Sequence, residues 1–205
     1  MPHETLSDRY DAAAPKWHDK MRALGYYDAY LGFLSEPGLA PVADADVIDI
    51  GAGTGALAEA WAAVHGAPRR MVLVDPVEAM LRQGVGALAR RGIAAVPRSV
   101  GLEALSDEPA ADEVLAAHLI EHFEVPETAL TLLHARLRPG GRMRLVVSKP
   151  HWCNTIIWLQ WRHRCYTPDA VRRLLGRCGF ALEREYAFPA GPPSRTSRGY
   201  TALAV

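Results

Sequence analysis

What the sequence lacks narrows the field first. It has no net charge: Lys+Arg and Asp+Glu stand at 23 each. No global field therefore draws nucleic acid or an anionic membrane surface to the chain. No apolar run approaches the ~18 residues of a membrane-spanning helix. The opening MPHETLSDRYD has no basic stretch followed by an apolar one, the pattern of a secretory signal. Cysteine is scarce, with three in 205 residues (Cys153, Cys165, Cys178) and no CxxC, which argues against a disulfide framework. Internal repeats and low-complexity tracts are missing too. The expectation is one cytoplasmic domain, residues 1–205, with no nucleic-acid or membrane partner. The oligomeric state leaves no trace.

What is present centres on VIDIGAGTG, residues 47–55. Val47, Ile48 and Ile50 make a β-branched run suited to a strand buried on both faces. Gly51, Gly53 and Gly55 follow, and then ALAEAWAAV reads as helix. Such a turn lets backbone approach a ligand, and the helix N-terminus offers it free N–H groups. Asp49 lies inside the strand's end, where a buried carboxylate costs several kcal/mol without a partner. A second apolar strand, MVLVD, closes on Asp75, at the distance where a ribose-binding acid is expected. Gly51, Gly53 and Ala56 also satisfy the dinucleotide fingerprint, so the glycines by themselves leave nicotinamide chemistry open.

Further along, PVEAMLRQGVGALARRG reads as helix and AAVPRSV as a weaker third strand. Gly84 and Gly86 weaken that helix slightly. DEVLAAHLI is a fourth strand with its exit, followed by the helix EVPETALTLLHARL, a Pro-Gly-Gly turn and the strand RMRLVVSKP. Thr167-Pro168-Asp169 is a helix start, with a capping Thr and Pro in first position, and Gly179 stops that helix. FALEREYAF and GYTALAV close the chain as strands, with AGPPSRTSRG (190–199) expected as a flexible loop between them.

Asp49 ahead of the glycines, Asp75, ADEVLAAHLIEHF and LRPGGRMRLVV together resemble the class I S-adenosylmethionine-dependent methyltransferases, in particular their small-molecule branch. The resemblance spans roughly residues 47–180. It implies an α/β fold: a doubly wound, mostly parallel, seven-stranded Rossmann-like sheet with helices on both faces and an antiparallel last strand. It implies S-adenosyl-L-methionine as cofactor and methyl transfer to a small-molecule acceptor. Asp49, Gly51, Ala52, Gly53 and Gly55 would hold the methionine portion, with Ala116 and Ala117 along its chain. Asp75 and Pro76 would meet the ribose. Members of the family usually carry an acid and a small residue after the third strand for adenine. Here SVGLEAL puts Gly101 or Leu102 at that place, with Glu103 as a substitute acid.

Residues 1–40 read as a helix whose apolar stripe packs on the domain and, at the same time, as a helical lid, since RYDAAAPKW is similar to the family's cofactor-covering segment; Tyr10 and Trp17 become candidate contacts. Tyr10, Ala14, Trp17, Met21 and Leu24 recur at helical spacing. HWCNTIIWLQWRHRCY, within an insert at 150–166, carries three of the five tryptophans. It reads as a substrate cap for an aromatic or anionic acceptor. An oxygen acceptor needs a base, and His is the natural one: His118 first, then His151, with Tyr10 and Tyr166 orienting the acceptor. His151-x-Cys153 and His163-x-Cys165 offer zinc-type ligands, but their spacing matches no standard finger and no metal is expected. His118 and His122 miss the zinc-protease pattern because Leu119 stands where its Glu belongs. Two alternatives remain: an NAD-dependent oxidoreductase, although no Tyr-x-x-x-Lys pair exists, and a cofactor-binding protein without transferase activity.

Overall fold

The computed structural model describes residues 17–151 and 164–205. Seven strands, β1 Asp46–Ile50, β2 Arg70–Val74, β3 Ala95–Arg98, β4 Ala111–Ala117, β5 Leu137–Ser148, β6 Phe180–Tyr186 and β7 Ser197–Ala204, form one sheet. Their order is β3-β2-β1-β4-β5-β7-β6. β3, β2, β1, β4 and β5 run parallel, and β7 lies antiparallel between β5 and β6. The helices are α1 Tyr26–Leu34, α2 Ala56–His65, α3 Glu78–Ala89, α4 Pro126–His134, α5 Pro168–Arg177 and α6 Gly191–Thr196. This is the doubly wound α/β sheet expected from the strand and helix pattern. The strand order reverses between β1 and β4, and in such sheets ligands gather at the carboxyl ends beside that point.

Every residue of β1 is buried. Because side chains alternate across a strand, Ile48 and Ile50 join one apolar layer, with Leu130, Leu133, Val171 and Leu175 of α4 and α5. Val47 joins the other, with Phe33, Leu57, Trp61 and Leu88 of α1, α2 and α3. β3 is an edge strand, which is why it tolerates Pro97. Thr167 caps α5 as its sequence predicts, accepting from the Ala170 N–H at 3.3 Å.

Four details depart from the sequence reading. The expected N-terminal helix is broken at Leu24–Gly25, where Gly25 adopts φ 81; residues 17–23 are helical and α1 begins at Tyr26. α1 packs in the core as the apolar stripe predicts, with Tyr30, Phe33 and Leu34 buried, but Leu24, expected on that stripe, is 36% exposed because it falls in the turn. The Pro-Gly-Gly turn is absorbed into β5 as an irregularity opposite Ala111 and Glu113. Residues 190–199 are ordered: Pro192 and Pro193 suit a helix's first turn, and α6 is tied down by Tyr26, whose hydroxyl lies 2.9 Å from Thr196 Oγ1. Gly84 suits α3 by its size. A Cβ there would sit 3.0 Å from Leu73 Cδ1 and 3.2 Å from the Gly55 nitrogen.

Gly199 on β7 does the same for α1. A Cβ at that position would lie 2.8 Å from the Phe33 ring, and Phe33 is fully buried. Gly199→Ala is expected to destabilise the fold by ~1–3 kcal/mol through overpacking, read from urea denaturation; an unchanged midpoint would show that α1 can shift freely.

Candidate functional site

β1 delivers the chain into a turn of three left-handed glycines, Gly51, Gly53 and Gly55, at φ 70, 52 and 74. The N–H groups of Gly51 and Ala52 both reach the Val74 carbonyl, at 2.8 and 3.0 Å, which pins the turn to the tip of β2. At Gly53 an added Cβ would meet nothing within 4 Å, so backbone faces open space there. Gly55 serves helix packing instead. A Cβ on it would strike the Gly84 Cα at 2.9 Å, so the two glycines let α2 and α3 approach.

Asp75 leaves β2 beside this turn. Its Oδ2 accepts the Gly53 N–H and its Oδ1 the Val77 N–H, each at 2.9 Å. Each oxygen keeps a second lone pair for a ligand hydroxyl. Burial raises its carboxyl pKa, and the two backbone N–H groups oppose the rise. Asp49 is more extreme. It is 1% exposed, its Oδ2 accepts the Ala58 N–H at 3.2 Å, and its Oδ1 is buried with no hydrogen-bond partner among the described residues. Burial pushes its pKa to about 7, the Ala58 N–H pulls against that, and the charge of Asp75 adds to it.

These groups border a cavity of about 480 Å³. Asp49, Asp75, Glu103, Glu124, His118 and His122 are among the residues of its wall, and no Lys or Arg lines it among the described residues. Such a wall suits a ligand carrying positive charge and hydroxyl groups. A pyrophosphate would bring two more negative charges into it, which disfavours a dinucleotide.

At the tip of β4 His118 takes φ 56, a left-handed conformation unusual for a residue with a Cβ. Its Nδ1 lies 2.9 Å from Ser148 Oγ and 3.3 Å from Glu121 Oε1. Glu121 is 1% exposed and accepts the Ser148 N–H at 2.6 Å.

Of the residues predicted from sequence, Asp49, Gly51, Ala52, Gly53, Asp75, Pro76, Gly101, Leu102, Ala117 and His118 line the cavity, as does Trp17. Gly55 and Ala116 do not. The first supports helix packing, and the second, fully buried, alternates into the core opposite Ala117. His151 follows the end of β5 and is not among the cavity-lining residues. Tyr10, Cys153, His163 and the tryptophans of the expected cap (Trp152, Trp158, Trp161) lie outside the described residues. Tyr166 is partly buried, with its N–H on the Ser148 carbonyl at 2.9 Å. Sequence reasoning missed Tyr30, Met80, Phe123 and Glu124, all of which face the cavity. Phe123 closes the ADEVLAAHLIEHF stretch and Glu124 follows it, so extending the site past the strand exit would have reached both.

A family model for a methyltransferase domain matches residues 16–185. No curated protein matches the chain. Among solved structures, Burkholderia thailandensis 1,6-didemethyltoxoflavin-N1-methyltransferase, with its namesake substrate and S-adenosylhomocysteine bound, is 20% identical, with a TM-score of 0.74 over 98% of this chain and 87% of that one. Magnesium protoporphyrin IX methyltransferase from Synechocystis, with S-adenosylmethionine bound, is also 20% identical, with a TM-score of 0.65 over 89% of this chain and 80% of the other. The N-methyltransferase NodS of Bradyrhizobium japonicum, in complex with S-adenosylhomocysteine, is 15% identical, with a TM-score of 0.65 over 85% and 83% of the two chains. At these identities the likeness is one of fold.

Proposed function

This chain belongs to the methyltransferase-domain family, and on that premise we propose that it moves the methyl group of S-adenosylmethionine to a small-molecule acceptor. The observation that carries the choice of cofactor is the buried, unpartnered Asp49 oxygen in a wall free of Lys and Arg among the described residues. An α-ammonium group satisfies that oxygen, and the second lone pairs of Asp75 accept from the ribose hydroxyls. The open backbone at Gly53 accommodates the methionine chain. Leu102, 5% exposed, offers an apolar surface to the adenine ring, with Glu103 beside it as hydrogen-bond acceptor. Bound there, the cofactor supplies a sulfonium-activated, electrophilic methyl group, and the difficult chemistry is its own.

The protein's own work is alignment and proton handling. Orientation of two bound reactants supplies several kcal/mol. Trp17, Tyr30 and Phe123 on the cavity wall favour a flat acceptor, in keeping with the solved relatives named for 1,6-didemethyltoxoflavin and magnesium protoporphyrin IX. The case for an anionic acceptor rests on the cations of the expected cap: Arg162 and His163, outside the described residues, and Arg164, whose Nη1 already serves the Glu124 carbonyl at 2.5 Å. His118 is the base where the acceptor must lose a proton. A cytoplasmic setting fits the scarcity of cysteine.

A thermal-shift comparison tests this reading. S-adenosylmethionine and S-adenosylhomocysteine are expected to stabilise the protein, by about 2.7 kcal/mol at a hundred times Kd, and NAD is not. Methyl-labelled cofactor incubated with a metabolite extract should then place label in the small-molecule fraction. Stabilisation by NAD alone, or label confined to protein, contradicts the reading.

A further inference from the structure

We propose that Glu59 of α2 is a positioning residue that latches residues 17–23 over the cavity, so that breaking its ion pair with Arg22 speeds the cofactor both in and out. The inference rests on the methyl-transfer reading above, which gives the cavity its occupant, and it assigns a role to a residue outside the cavity wall.

Residues 17–23 form a short helix, and side chains four apart on a helix share a face. Trp17 and Met21 make one such pair, and both line the cavity. Trp17 packs against Val77 and Met80 around the start of α3, and Met21 against the apolar layer of α1 and α2. His18 and Arg22, one position on, lie about 100° round the helix and meet α2. Arg22 Nη2 reaches Glu59 Oε1 at 2.8 Å, and its Nε donates to His18 Nε2 at 3.0 Å. His18 Nε2 lies 3.8 Å from Glu59 Oε2. The Arg22 guanidinium also stands over the Tyr27 ring, at 4.0 Å from its centroid.

The two halves of this contact differ in how firmly they are held. Glu59 is 5% exposed, and Arg91, just after α3, grips it from the body of the domain. Arg91 Nε reaches the same Oε1 at 3.2 Å, and its Nη2 donates to the Tyr27 hydroxyl at 2.6 Å. The carboxylate therefore stays in place whether or not Arg22 is engaged. The Arg22 side chain is 40% exposed, and an ion pair that open to water is weak enough to break often. A helix as short as residues 17–23 does not persist alone, so its place over the cavity depends on its contacts. Behind it Gly25 takes φ 81, and a Cβ there would meet nothing within 4 Å, which leaves this joint unobstructed. One short rod carries both faces, so release of Arg22 frees Trp17 and Met21 to swing out. The same pair must open for entry and for exit. It sets the height of the barrier between them rather than the depth of the bound state.

The test is surface plasmon resonance of S-adenosylhomocysteine on the full chain. Glu59→Gln and Arg22→Met should each raise the association and the dissociation rate constants three- to tenfold, while Kd moves less than twofold. A site distorted by the substitution would instead speed dissociation alone and weaken Kd. Arg22→Met leaves Arg91 on the Glu59 carboxylate, so it serves if Glu59→Gln fails to fold. Limited trypsin digestion gives a second reading: cleavage after Lys20 should be at least threefold faster in both variants than in the wild type. Unchanged rate constants, a rise confined to dissociation, or cleavage at the wild-type rate would overturn the proposal. Failure of S-adenosylhomocysteine to bind the wild type would instead sink the methyl-transfer reading, and the digestion would still report on the latch.

Discussion

The affinity for S-adenosylhomocysteine should climb steeply between pH 5 and pH 7.5, by about fifty- to a hundredfold. The cause is Asp49. Its carboxyl, buried and repelled by Asp75, titrates at about 7, so below neutrality it holds a proton that an incoming ammonium must displace. Each pH unit below that value then costs about tenfold in apparent affinity. The stability of the free protein should move the opposite way. A carboxyl whose folded pKa is raised contributes stability that is fully present below its ordinary value near 4 and is lost as pH rises through about 7. Saturating cofactor should offset that loss. Calorimetric titrations across this range provide the check, with Asp49→Asn as the variant that should flatten the profile. A flat wild-type profile would separate Asp49 from the ammonium group.

Glu113→Ala should cost ~3–5 kcal/mol of folding stability, the penalty for leaving a buried charge without its partner. Arg144 is fully buried on β5, and its Nη2 reaches Glu113 Oε1 at 3.2 Å across the β4–β5 pair. Trp61 of α2 donates its indole N–H to Glu113 Oε2 at 2.7 Å. Arg144 also gives Nη1 to Thr201 Oγ1 at 3.3 Å and Nη2 to the Leu39 carbonyl. The cluster thus joins α2, β4, β5, β7 and the segment ahead of β1. Burial lowers the Arg144 pKa, and Glu113 holds it up against that pull. Replacing the pair together, Glu113→Leu with Arg144→Met, should recover much of the loss, since apolar substitutes of similar volume remove both desolvation costs. Urea denaturation reads both. A loss under about 1 kcal/mol for Glu113→Ala would mean that the charge reaches water easily.

Much of this architecture was legible because local signals agreed. The β-branched run before the glycines, the acid closing MVLVD and the Thr-Pro-Asp helix start each produced the element their chemistry prefers, and the doubly wound order followed. Where the sequence misled, long-range packing had overridden a local rule. Gly84 reads as a helix weakener because its neighbour across space, Gly55, is 29 positions away in the chain. Residues 190–199 read as a loop because the Tyr26 hydroxyl that anchors α6 belongs to the other end of the protein. Glu113 and Arg144 are charges set directly before the apolar runs VLAA and LVV. That is a visible anomaly, but its partner Trp61 becomes apparent only when α2 is laid on the sheet. At the site, Asp49, Asp75 and His118 could be named from motif and position. Glu121 could not, since its contact with His118 depends on a left-handed turn that nothing in HLIEH announces.

The most direct measurement is calorimetry of S-adenosylhomocysteine on the wild type and on Asp75→Ala at neutral pH. The wild type should bind one equivalent. The variant should lose ~1–3 kcal/mol, about five- to a hundred-and-fiftyfold in Kd, as the charged acceptors of the ribose hydroxyls disappear. Equal affinity in the two proteins, or no heat in the wild type, would place the cofactor somewhere other than across the tips of β1 and β2.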